Sequence, residues 1–210
     1  MKKTFVLVVL FIFPIVVYLF FASGVTNFGK LPVLTENVED ISIYDAQVTF
    51  EGKITVLGFL GEDVDLKKGN AFTLNQKIYK RFYEFADFQF VMVLPKGTEA
   101  KVEELKKELN ELADVSKWRF VFMEPTAIET VFLSLKTDLQ LDADYGTPYV
   151  FIIDKDKALR GRDKEEKNAI LYGFDATSVA EINNKMIDDI KIILAEYRLA
   201  LKKNNADRDI

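Results

Sequence analysis

Gly146-Thr147-Pro148-Tyr149-Val150-Phe151-Ile152-Ile153-Asp154-Lys155-Asp156-Lys157-Ala158-Leu159-Arg160-Gly161 is the stretch that decides the fold. Tyr149 to Ile153 is an unbroken apolar run rich in β-branched and aromatic residues, as expected of a strand buried on both faces. The polar Asp154 to Lys157 that follows is a turn, and Ala158 to Gly161 reads as a return strand, so the stretch is a β-hairpin. Two further apolar runs, Ile54 to Leu60 and Phe88 to Leu94, have the same character. Amphipathic stretches separate them. Leu74, Ile78, Phe82 and Phe85 line one face of a helix expected to end near Ala86, with Thr73 and Gln76 as a capping box. Val102, Leu105, Leu109 and Leu112 make a stripe on a charged helix over Thr98 to Ala113. Trp118 to Met123 is a strand and Ala127 to Lys136 a short helix. Ser178 and Glu181 form a second capping box, ahead of a long stripe of Val179, Ile182, Met186, Ile190, Ile193, Tyr197 and Leu201.

Nearer the N-terminus, Ile41 to Tyr44 reads as a short strand, Val48 to Lys53 as a strand and a turn, and Gly61 to Asn70 as a loop by composition. The element order is then β, β, α, β, α, β, α, β, β, α. Strands alternating with helices imply a mixed sheet flanked by helices. The division expected is a membrane segment over 1–25, a linker over 26–40, one domain over 41–203 and a tail over 204–210.

The chain has 210 residues with 49% hydrophobic and 29% charged residues, enough apolar material to build a packed core and exclude a disordered class. It contains no cysteine and no histidine. Disulfides, thiol redox chemistry, iron–sulfur clusters, His-based triads and the ordinary copper and zinc sites are thereby excluded. No cofactor is expected. What remains is a binding protein, or an enzyme restricted to carboxylate, Lys, Tyr, Ser or Thr groups.

Lys2 and Lys3 precede an uncharged apolar run from Phe5 to Ala22, long enough to span a bilayer. The two lysines place the N-terminus in the cytoplasm and the rest of the chain outside it, in the periplasm of a bacterium. Two readings compete, an uncleaved transmembrane anchor and a signal peptide cut near Ala22-Ser23-Gly24. The run exceeds the usual apolar region of a signal peptide, which favours the anchor. The exported part is more acidic than the −5 of the whole chain, so nucleic acid is not an expected partner.

Three local motifs resemble exported members of the thioredoxin-like superfamily. Gly52-Lys53-Ile54-Thr55-Val56-Leu57-Gly58-Phe59 is similar to their first core strand, Gly146-Thr147-Pro148 with Tyr149 to Asp154 to their proline loop and following strand, and Asp154 to Gly161 to their last hairpin. In layout the chain most resembles the Sco/SenC family, which adds a strand like Trp118-Arg119-Phe120-Val121-Phe122 and a short helix before that hairpin. The resemblance implies a thioredoxin-like mixed β-sheet flanked by α-helices, preceded by one N-terminal transmembrane helix. It also implies a cis Pro148 and a role in respiratory oxidase assembly. The departures bear on function. The family's copper-binding cysteines fall in the loop that here reads Gly61-Glu62-Asp63-Val64-Asp65-Leu66-Lys67, and its histidine falls near Asp144-Tyr145-Gly146-Thr147. Neither thiol nor imidazole is present, so no metal or redox residue carries over.

Two sets of residues are candidate binding sites. Glu62, Asp63 and Asp65 are three close carboxylates able to take a hard cation, set against a solvated acidic loop, which is the commoner use of such a run. Tyr145, Thr147 and Pro148 are candidates for a groove that takes an extended peptide, set against a rigid turn that positions the next strand. The expectation is a membrane-anchored binding or assembly module with a protein partner. The alternatives are a scaffold pairing through its C-terminal helix, and a carboxylate-based enzyme with a deep pocket at the 61–66 loop.

Overall fold

The computed structural model describes residues 9–18, 29–165 and 169–206, the side chains of 201–206 excepted. Residues 9–18 are helical (α1). The remainder of the expected span, 5–8 and 19–22, and the two lysines lie outside the described residues. Among the described residues no helix is long and apolar enough to cross a membrane.

Among the described residues seven strands form one sheet: β1 (Val33–Thr35), β2 (Ile54–Leu60), β3 (Phe88–Pro95), β4 (Trp118–Met123), β5 (Gly146–Ile153), β6 (Leu159–Arg160) and β7 (Phe174–Asp175). The spatial order is β1-β6-β5-β2-β3-β4, with β7 also paired to β5. β2, β3 and β4 run parallel, while β5 is antiparallel to β2, β6 and β7. The three apolar runs thus lie in a single mixed sheet, as their continuous hydrophobicity implies. Every residue of β2 and β3 is buried, because helices and loops cover both faces.

On one face, Val56, Phe90, Trp118 and Ile152 pack with the helices α2 (Val64–Leu74), α4 (Glu99–Leu112) and α7 (Ile187–Ala206). Phe90 stacks on Trp118 with ring centroids 4.7 Å apart. On the other face, Leu57, Phe59, Val91 and Phe151 pack with α5 (Pro125–Ser134) and the 38–50 segment. Phe59 meets Phe132 edge-on at 5.3 Å. Sequential side chains of each strand divide between these clusters, which is the period-2 alternation of a sheet.

Several local expectations are corrected. Ile41 to Ile43 is a 3₁₀ turn and not a strand. The Asp40 carboxylate accepts from the Ser42 and Phe50 N–H groups and the Thr49 hydroxyl, which folds 40–50 into a capped turn. Val48 to Lys53 makes the expected turn, at Glu51-Gly52 with Lys53 N donating to Phe50 O, but forms no strand, and it buries Val48 and Phe50. Val33 to Thr35, inside the expected linker, pairs with β6 as a short edge strand.

The expected loop over 61–70 is mostly helix. Asp63 caps α2 by accepting from Leu66 N at 3.3 Å. Thr73, the expected cap, lies inside that helix and donates to Gly69 O. The helix continues through a π-helical segment (Asn75–Tyr79) into α3 (Lys80–Phe82), leaving Phe85 exposed beyond its end. At the second capping box Ser178 Oγ accepts from Glu181 N as expected, opening α6 (Val179–Glu181). The Glu181 carboxylate instead accepts from Asp175 N. α7 runs to Ala206, into the segment expected as a tail.

Candidate functional site

β2 ends at Leu60, which pairs with Gly146 at the start of β5. This register brings the two candidate segments side by side. Gly61 turns the chain with φ of 71°, and a Cβ there would meet the Asp144 backbone oxygen at 2.7 Å. Only glycine combines that conformation with that approach. Glu62 N then donates to Asp144 O at 2.9 Å, which fastens one segment to the other.

The side chains at the junction are ionic. Val64, Lys67, Ala71 and Leu74 form the inward face of α2, so Lys67 is carried into the structure with its side chain only 8% exposed. Its ammonium donates to Asp144 Oδ2 at 2.8 Å and lies 3.6 Å from Asp142 Oδ2. Asp144 Oδ1 accepts from Gly146 N at 3.1 Å. Burial alone would push the Asp144 carboxyl up, but the Lys67 hydrogen bond and the Gly146 N–H outweigh it and hold it below the ordinary carboxylate range. Lys67 and Asp144 were not singled out as site residues by sequence. The spacing of Lys67 from Val64 and Ala71 was the available signal, since it puts the lysine on the apolar stripe.

The six predicted residues fall on these two segments but do not converge on one point. Glu62 is exposed, Asp63 is spent as the helix cap, and Asp65 is exposed in the first turn of α2. Among the described residues no group of three or more acidic side chains is placed to hold a metal ion. Tyr145 adopts a left-handed φ of 63° and packs its half-buried ring against the second core cluster. Thr147 is buried, its hydroxyl accepting from Tyr149 N, so it offers no side chain to a groove. Pro148 is half-buried and its carbonyl accepts from Ala176 N. The Thr147–Pro148 bond is trans, contrary to the implied cis bond. β5 runs continuously through Pro148, and the bend falls at Tyr145 instead. Leu66 is the unforeseen feature, an aliphatic side chain 77% exposed beside these loops.

A cavity of about 660 Å³ lies elsewhere, lined by residues of the 29–37, 154–160 and 196–200 segments and by none of the 61–66 loop. The pocket that a carboxylate-based enzyme would need at that loop is therefore not this one.

The ion pair makes a prediction about pH. A carboxylate held low in the folded state contributes stability above its unfolded value, about 3.9, and loses it as pH falls through the folded value. Asp144 behaves so, as does Asp87 through its hydrogen bond from Lys155 and Glu165 through that from Lys185. Buried Asp189, whose carboxyl is raised by burial, acts in the opposite sense. The unfolding temperature should decline as pH drops from about 5 towards 2, and Asp144→Asn should flatten that decline. An unchanged slope in the variant would deny Asp144 this role.

No protein-family model and no curated protein matches the sequence. Solved structures do match. A Bacteroides thetaiotaomicron protein assigned as a protein disulfide isomerase aligns with a TM-score of 0.51 at 15% identity, over 79% of this chain and 94% of its own. BsSco, a member of the Sco family of cytochrome c oxidase assembly proteins, aligns with a TM-score of 0.52 at 11% identity, over 77% and 95%. A Sco/SenC family lipoprotein from Bacillus anthracis aligns with a TM-score of 0.47 at 17% identity, over 69% and 83%. At such identities the likeness is one of fold: this cysteine-free chain has a thioredoxin-like fold similar to that of Sco proteins.

Proposed function

We propose that the chain is a membrane-anchored, extracytoplasmic binding or assembly module, in which a thioredoxin-like scaffold is kept without redox or copper chemistry. The observation that carries this reading is the Lys67–Asp144 ion pair. It joins the segment where the Sco/SenC resemblance implies thiols to the segment where it implies an imidazole. Soft metals require thiolate, thioether or imidazole ligands, and Met92, Met123 and Met186 are buried in separate core elements. The Sco likeness supports assembly of a respiratory oxidase as the setting. The apolar run at 5–22 supports the anchor.

The partner would be a protein, met by the exposed surface around Leu66, Glu62 and Tyr145. Leu66→Asp should cost within about 0.5 kcal/mol of stability, because the side chain is exposed and an acidic residue suits the first turn of a helix. It should nevertheless remove the partner that cross-links to the full-length chain in native membranes. Retention of that partner by a stably folded Leu66→Asp protein would sink the proposed surface.

A further inference from the structure

We propose that the free edge of β4 is a second docking site, which takes an extended polypeptide segment of a partner protein with apolar side chains at alternate positions and an acidic side chain between them. Among the described residues β4 is the last strand of the sheet and pairs only with β3. Phe90 N donates to Lys117 O and Lys96 N to Met123 O, with the register Phe90 to Trp118 through Pro95 to Met123 between them. In a parallel pair a residue's N–H and C=O face the same neighbour, and successive residues alternate. Lys117, Arg119, Val121 and Met123 therefore turn their main chain to β3. Trp118, Phe120 and Phe122 turn theirs outward. Trp118 N is met locally by Val115 O. The Trp118 carbonyl and both main-chain groups of Phe120 and Phe122 are left for another strand.

The edge is not flat to solvent. It lies in a groove of about 310 Å³, walled on one face by Val102, Glu103 and Lys106 of α4 and on the other by the Asp45–Val48 turn. The groove passes into a second hollow of about 420 Å³ that shares Glu103, Lys106, Trp118 and Arg119. An added strand would send alternate side chains to the two faces. Those on the α4 side meet the half-buried rings of Phe120 and Phe122. Those on the opposite side meet exposed Arg119, which forms no ion pair among the described residues. This alternation sets the chemistry of the occupant. Walls on both faces suit one strand, whereas a second copy would bring its own α4 and 45–48 turn into the same space. Edge strands are commonly shielded by proline or several charges, and β4 carries only Arg119. Strand addition at such an edge draws affinity from main-chain hydrogen bonds and specificity from alternate side chains.

Trp118 is the chain's only tryptophan, and its indole nitrogen is buried without a partner among the described residues. It reports on its own strand. The probe is an acetylated, amidated seven-residue peptide alternating valine and glutamate, titrated into the full-length chain in detergent. A saturable change in Trp118 fluorescence is expected. Arg119→Glu and Phe122→Pro should each weaken it by about tenfold, the first by reversing a charge and the second by deleting an outward N–H that β3 does not use. A peptide with N-methylated amides on one edge should give no response. Circular dichroism of both variants tests whether the fold is retained, and Arg119→Glu alone decides if Phe122→Pro unfolds. Absence of a saturable response at about 1 mM peptide, or equal binding of the N-methylated peptide, overturns the proposal. So does sedimentation of the chain as a dimer that Arg119→Glu or Phe122→Pro dissociates, which would make the occupant a second copy.

Discussion

Arg160→Met is expected to destabilise the domain by about 3–5 kcal/mol, the cost typical of removing one partner from a buried ionic group. The guanidinium is buried, with 5% of the side chain exposed. Its Nε donates to Leu31 O at 2.9 Å, one terminal nitrogen to Asp154 at 2.8 Å and the other to Glu196 at 2.7 Å. One planar fork therefore ties the segment leading into β1, the β5–β6 turn and α7 together. Burial alone would make the charge easier to lose, but the hydrogen bonds to Asp154 and Glu196 outweigh it and raise its affinity for the proton. Without Arg160, the Asp154 carboxylate keeps only the N–H groups of Asp156 and Ala158, and an uncompensated charge remains in the interior. Arg160→Lys should recover little, because an ammonium cannot serve three acceptors in a fixed plane. Replacing Arg160 and Asp154 together with apolar residues should recover much of the loss. Urea unfolding midpoints of the three variants check this, and a single-variant loss under about 1 kcal/mol would contradict the geometry.

How far the chain could be read in advance depends on the range of the forces involved. Ile54–Leu60, Phe88–Leu94 and Tyr149–Ile153 were legible because a strand buried on both faces must be apolar throughout. The 41–44 strand was not, because alternation over four residues is outweighed by one side chain: Asp40 gathers donors from both ends of its loop. The 61–70 loop was misread for a related reason. Its charges suggest a solvated turn, but Asp63 is a cap and the polar residues occupy the outer face of a helix whose inner face includes Lys67. A lysine on an apolar stripe makes sense only once its partner is known, and Asp144 is 77 residues away. The candidate site was located by segment through resemblance, while its chemistry depended on pairings that local patterns do not encode. Thr147 shows the reverse error, a polar residue in a motif that the fold turns inward.

The double substitution Ile190→Asp with Ile193→Asp should abolish cooperative folding. Both side chains are fully buried on the face that includes Val56, Ile152 and Ile182. Truncating one such isoleucine typically costs about 2–5 kcal/mol, and burying a carboxylate without a partner adds to this. Two together exhaust the stability of an ordinary domain, about 5–15 kcal/mol. Ile190→Val is the matched control and should cost only about 0.5–1.5 kcal/mol. The pair also decides between two uses of the C-terminal helix. A helix that serves as a scaffold must keep its apolar stripe for a partner, and charging it would then leave the domain folded but alone. The stripe of α7 is instead consumed from Ile187 through Ile193 by the core cluster that includes Val56 and Ile152, and Tyr197 lies half-buried with its hydroxyl donating to Asp156. Loss of the thermal transition in the double variant is therefore expected, whereas a folded double variant that has shed its partner would return the helix to the scaffold reading.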